Sequence, residues 1–183
     1  MIGLPLRRGA RRETDRRREL DPATVAITAL PDVLVLHNRR LVGSNGRPSR
    51  ETVDHLVVAR SGVWLVDAKT HYGPHEVRRT GGIITPRDER LFINYRDRTE
   101  LVDDLRREVV TLQRVLVDAG HTVGVHGALC FVDTPLPWVS ESITGIALVD
   151  LRGLTTLLTA DGDLDDHDRA EVRAVLNSRC VPA

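Results

Sequence analysis

A mixed α/β fold in one domain is what this sequence predicts, and three features predict it. Glu100 to Ala119 (ELVDDLRREVVTLQRVLVDA) carries Leu101, Leu105, Val109, Leu112 and Leu116 at spacings of three and four, the period of a helix with one apolar face. Val53 to Arg60 and Val63 to Lys69 are apolar strands separated only by Ser61-Gly62, which reads as a tight hairpin. Val123 to Val132 and Ile143 to Asp150 add two buried strands, and the helices Leu151 to Leu158 and Asp165 to Arg179 follow them. At 183 residues the chain fits one domain with a core of its own, and no repeat or linker divides it.

The remaining elements follow in order. Gly9 to Leu20 has helical composition, and Asp21-Pro22 suits an N-cap with proline at the first helical position, opening a short helix that runs to Ala29. Val33 to His37 is a strand, and the loop VGSNGRPSRE after it is rich in turn formers. HEVRRTGGIITPRDERLFIN reads as strand broken at Gly81-Gly82. The sheet is therefore expected to be central, with helices flanking it.

Composition narrows the function classes. The 41% hydrophobic and 28% charged content is ordinary for a globular protein, and no apolar run has the ~20 residues a membrane helix requires. The segment MIGLPLRRGARRETDRRREL lacks a signal-peptide core, so a cytoplasmic location is expected. Cys130 and Cys180 are too few for a disulfide framework and are read as reduced thiols. A net charge of +0 argues against sequence-blind coating of DNA, although arginines from Arg7 to Arg18 crowd one end and aspartates from Asp161 to Asp168 the other. A basic cluster can meet phosphates, but solvated helix charge is the commoner explanation.

One residue departs from this background. Lys69 is the only lysine among 26 Lys+Arg, two positions after Asp67 at the end of an apolar strand. With Ser61-Gly62 as the turn, Arg60 faces Val63, Leu56 faces Asp67 and Asp54 faces Lys69. Alternation then gathers Asp54, Asp67 and Lys69 on one face of the sheet. Two carboxylates suit a hard divalent cation such as Mg²⁺. A lysine beside them adds a compact charge whose protonation can adjust, which arginine does not offer. A solvated ion pair of little consequence explains the same Asp-x-Lys spacing.

The residues TVD54HLVV, G62VWLVD67AK69 and Y72G73 resemble the nuclease-related domain family, a branch of the restriction-endonuclease-like PD-(D/E)xK superfamily. The resemblance implies a restriction-endonuclease-like fold over residues 1–183 and metal-dependent hydrolysis of DNA. It makes Asp54 and Asp67 ligands of Mg²⁺ (or Mn²⁺), with the Ala68 carbonyl contributing and Lys69 activating or orienting water. Glu13, in GARRE, matches the acid of the family's upstream Gly-Glu pair, although Arg12 replaces the glycine; Glu19 is the fallback. Glu108 stands where the family commonly has glutamine, with Gln113 nearby but off register. These departures leave open a catalytically inactive module that binds DNA or a protein.

Other patterns carry less. His71 and His75 have zinc-like spacing, but Tyr72-Gly73-Pro74 forbids the helix that would align them. His55 falls on the face opposite Asp54 and reads as a core histidine. Asp161-Gly-Asp163-Leu-Asp165 starts like a calcium loop but lacks its glycine and closing glutamate, so a helix N-terminus explains it better. Trp64 is expected to pack beneath a helix. Aromatic content of 3% argues against a platform for single strands.

Overall fold

The computed structural model describes residues 21–42, 46–50, 52–82, 88–137 and 141–183. The helix expected over Gly9 to Leu20, and with it Glu13, Glu19 and the arginine cluster, lies outside the described residues.

Seven strands form one mixed sheet: β1 (Leu34–Leu41), β2 (Val53–Ala59), β3 (Gly62–Lys69), β7 (Val125–Phe131), β8 (Glu141–Ile143), β9 (Ile146–Val149) and β10 (Cys180–Pro182). Their order is β10-β1-β2-β3-β7-β9-β8. β3, β7 and β9 run parallel, and the other pairings are antiparallel. A second sheet of three strands joins β4 (His75–Thr80), β5 (Asp88–Ile93) and β6 (Arg96–Asp97).

Each face of the large sheet is covered. Leu56, Val58, Val63, Leu65, Leu129 and Phe131 meet helix α2 (Thr99–Asp118), through Val102, Leu105, Leu112 and Leu116, and helix α4 (Asp166–Arg179), through Val172 and Leu176. Val57, Ala59, Trp64, Val66, Ala128 and Cys130 point the other way. They meet α1 (Pro22–Thr28) and α3 (Leu151–Leu158) through Ala23, Ile27, Leu154 and Leu158. Central strands buried on both faces read as continuous apolar runs, which is why LVV and VWLV gave so clear a signal. Trp64 packs as expected, donating its indole N–H to Ser61 Oγ at 3.0 Å.

Helix starts follow the predicted chemistry. Asp21 accepts from the Ala23 N–H ahead of Pro22, Asp150 from Gly153 and Asp165 from Asp168. Asp165, the last aspartate before α4, thus caps its N-terminus.

Two sequence expectations need correction. The stretch from Ile143 to Asp150 is not one strand: Thr144 and Gly145, at φ +47° and +86°, turn the chain between β8 and β9. The β2–β3 turn is Arg60-Ser61, not Ser61-Gly62, because Ala59 pairs with Gly62 and Val58 with Val63. Gly62 takes φ +130°, and a Cβ there would lie 2.6 Å from the Gly124 carbonyl oxygen. Only glycine fits this close passage of backbones, so Gly62 belongs to the strand and the register moves by two residues.

Candidate active site

The shift of two leaves the faces unchanged, since side chains alternate with period two. It changes the neighbours. Continuing the register one residue beyond the His55–Val66 pair sets Asp54 across from Asp67, in place of the predicted Asp54–Lys69 and Leu56–Asp67 pairs. The three groups converge nevertheless. Lys69 Nζ lies 2.7 Å from Asp67 Oδ1, and the Ala68 N–H donates to Asp54 Oδ2 at 3.2 Å. N–H and C=O of one strand residue leave on the same edge, so the Ala68 carbonyl is directed toward the Asp54 side.

This cluster is neither buried nor freely solvated: the Lys69 and Asp67 side chains are 27% and 24% exposed. Burial pushes the Asp67 carboxyl up to about 7, with Lys69 opposing the rise and the Asp54 carboxylate adding to it, by accepting a hydrogen bond from protonated Asp67 and by its like charge. Two carboxylates held together against their repulsion make a place that a cation relieves. The positions of Asp54, Asp67 and the Ala68 carbonyl therefore fit a hard divalent ion. Among the described residues no group of three or more His, Cys, Asp or Glu side chains gathers as a metal site.

The site sits where the parallel strands β3 and β7 end, with Lys69 beside Phe131. Crevices at the carboxyl ends of parallel strands are the usual ligand sites of α/β sheets. His71 lies just beyond; its pKa is lowered by burial and then by the charges of Arg98 and Lys69, with Glu100 opposing them. Gln113 donates to the Val123 carbonyl at 3.0 Å and is engaged in holding the α2–β7 connection.

Asn38 was not foreseen. It falls between the pairs His37–His55 and Arg39–Val53, which sets it across from Asp54. Its φ of +51° is left-handed, a costly conformation within a strand that asparagine tolerates better than most residues. No periodicity signals such a residue.

The model of the nuclease-related domain family matches residues 8–132. The chain belongs to this family. No curated protein and no solved structure matches it. The mixed sheet flanked by helices is consistent with placing this nuclease-related domain in the PD-(D/E)xK superfamily. Its family membership indicates a nuclease-related function and suggests contact with nucleic acid. Among the described residues of the nuclease-related domain no helix is long and apolar enough to cross a membrane.

The neighbouring His55 takes the other face, as expected. It is buried under α1, its Nε2 lying 3.2 Å from Asp21 Oδ2 and its Nδ1 2.8 Å from His37 Nδ1. Asp21 thus takes the Nε2 side of the His55 ring and His37 the Nδ1 side. His71 and His75 occupy a loop and the start of β4, and His75 packs on Phe131 with ring centroids 4.4 Å apart.

Proposed function

We propose that residues 1–183 act as one metal-dependent nuclease unit that hydrolyses DNA phosphodiester bonds at Asp54, Asp67 and Lys69. The observation that carries this reading is the joining of two adjacent carboxylates and the solitary lysine at the ends of β3 and β7, with Asp67 held near a pKa of 7. Asp54, Asp67 and the Ala68 carbonyl would hold Mg²⁺ or Mn²⁺, and Glu13 would complete the acidic set. Such an ion, when bound, offsets phosphoryl charge and makes a water acidic enough to attack near neutral pH.

The chain's own residues do the rest. The Lys69 ammonium, positioned by Asp67, orients the attacking water through a hydrogen bond and faces the charge that develops on the phosphoryl oxygens. Asp54 is held in place by the Ala68 N–H. Because Asp67 takes up a proton near neutrality, metal binding should tighten as pH rises through about 7.

A second reading, a catalytically inactive module that binds DNA or a protein, is favoured by Glu108 at the family's glutamine position. The two readings separate in one assay. Purified protein should cut DNA in Mg²⁺ or Mn²⁺ and not in EDTA, and Asp67→Ala and Lys69→Ala should lose the activity while keeping the native melting transition. DNA binding without cutting under every divalent metal would leave only the second reading.

A further inference from the structure

The chain has two tyrosines, and both are exposed: Tyr72 at 69% and Tyr95 at 78%. An aromatic ring in water forgoes the burial that normally holds such residues in place. These two also lie on adjoining loops. Tyr72 is three residues beyond Lys69, in the segment that leaves the candidate site. Its hydroxyl donates to Asp133 Oδ2 at 3.3 Å, and Thr134 Oγ1 donates to the His71 carbonyl at 3.1 Å. Asp133 and Thr134 follow the end of β7, so the segment is fastened over the carboxyl ends of the parallel strands.

Tyr95 comes from the turn between β5 and β6. The Asn94 N–H donates to the Pro74 carbonyl at 2.9 Å. Gly73 takes φ +105°, and a Cβ there would lie 2.9 Å from the Asn94 Cβ. One residue from each tyrosine, the two loops are in contact. The turn itself is unusual. Asn94 and Tyr95 have φ +47° and +62°, with Ile93 paired to Arg96. Two central residues at positive φ make a turn whose second position glycine fills best, and an L side chain as large as tyrosine is disfavoured there. A bulky ring is therefore held in water, in a conformation that does not suit it, on a turn that touches the segment leaving the candidate site.

We propose that Tyr72 and Tyr95 form an aromatic rim that stacks on unpaired nucleobases, so that the substrate of the site is DNA with an unpaired strand. The proposal rests on the nuclease reading for the identity of the ligand. In a duplex the base faces are covered by their neighbours, whereas unpaired bases offer a π-face to an aromatic side chain. The low aromatic content of the sequence argued against such a platform. Two rings suffice when the fold puts both on adjoining loops, with the cations Lys69 and Arg98 close to His71 in the same segment for the phosphates.

The test is equilibrium binding of fluorescent oligonucleotides to the full chain in EDTA at fixed salt. The probes are a short oligothymidine, an abasic strand with the same number of phosphates, and a blunt duplex. The oligothymidine should bind more tightly than either of the others. Tyr72→Ala and Tyr95→Ala should each weaken it by about 5- to 150-fold, the loss expected per stacked base, and leave abasic binding unchanged. Tyr→Phe at either position should retain it. Tyr95→Gly relieves the turn, so it should lose affinity with an equal or higher melting temperature, which separates stacking from folding. Equal affinity for the base-bearing and abasic strands, or no binding, would overturn the rim. If the protein cuts duplex in Mg²⁺ without these preferences, the rim fails and the nuclease reading stands. Tyrosine-dependent binding with no cutting in any metal supports the rim and removes the nuclease reading.

Discussion

Two polar clusters lie back to back on the same strands, one residue apart in sequence. On one face Asp67 and Lys69, about a quarter exposed at the end of β3, stand beside Asp54 of β2. On the other, His55 joins Asp21 and His37 beneath α1, with its side chain only 4% exposed. The two differ in how completely their groups are satisfied. Burial raises the Asp21 carboxyl, but hydrogen bonds from His55 and the Ala23 N–H outweigh it, and the result is a pKa below the usual carboxylate value. Asp67 goes the opposite way, because burial and Asp54 together outweigh Lys69. A cluster that has settled its charge internally holds a helix to a sheet. One that has not is prepared for a ligand.

The largest effect should come from a change that preserves charge. Lys69→Arg keeps a cation beside Asp67 but replaces a compact, adjustable ammonium with a planar group that stays protonated. Cutting should fall by about 10²-fold or more with the melting temperature unaltered, measured as initial rates on labelled DNA. Retained activity would place the cluster with its structural counterpart.

His55→Ala should do the reverse. It strands Asp21 and His37 in a partly buried space and should cost about 1–3 kcal/mol in urea unfolding. Cutting per folded molecule should be unchanged.

A further pair of effects lies in the pH dependence of stability, read in EDTA. Folded Asp67 holds its proton up to about 7, whereas an unfolded aspartate releases it near 3.8. The folded state binds more protons across that window, so Asp67 lowers stability as pH rises through it. Asp67→Asn should therefore gain on the parent protein from about pH 4 to 7 and hold a constant advantage above that. His37 has the opposite sign. Burial first, then His55, lowers its pKa beneath 6.5, so the unfolded chain binds more protons and stability falls as pH drops below 6.5. Its removal should flatten that acid limb.

Much of this was legible before the coordinates. Asp54, Asp67 and Lys69 share a face in any register that differs by an even number of residues, so the prediction survived a misplaced turn. The turn was misread because its cause is tertiary: Gly62 must pass Gly124, which comes from a distant loop. Asn38 lies beyond the predicted strand end at His37, and only the β1–β2 pairing reveals what the two residues face. Tyr95 lies in a turn whose positive φ values sequence chemistry assigns to glycine. Strand β10 is three residues long and has no period to read.

That short strand makes the far end of the chain part of the site's architecture. Cys180 to Pro182 pairs with Leu41 to Arg39, and the Ala183 N–H donates to the Asn38 carbonyl at 3.0 Å, across from Asp54. The family match stops at 132, yet the last four residues brace the wall behind a proposed metal ligand. A clone trimmed to the matched segment would lose that brace together with Leu154, Leu158, Val172 and Leu176 from the two cores.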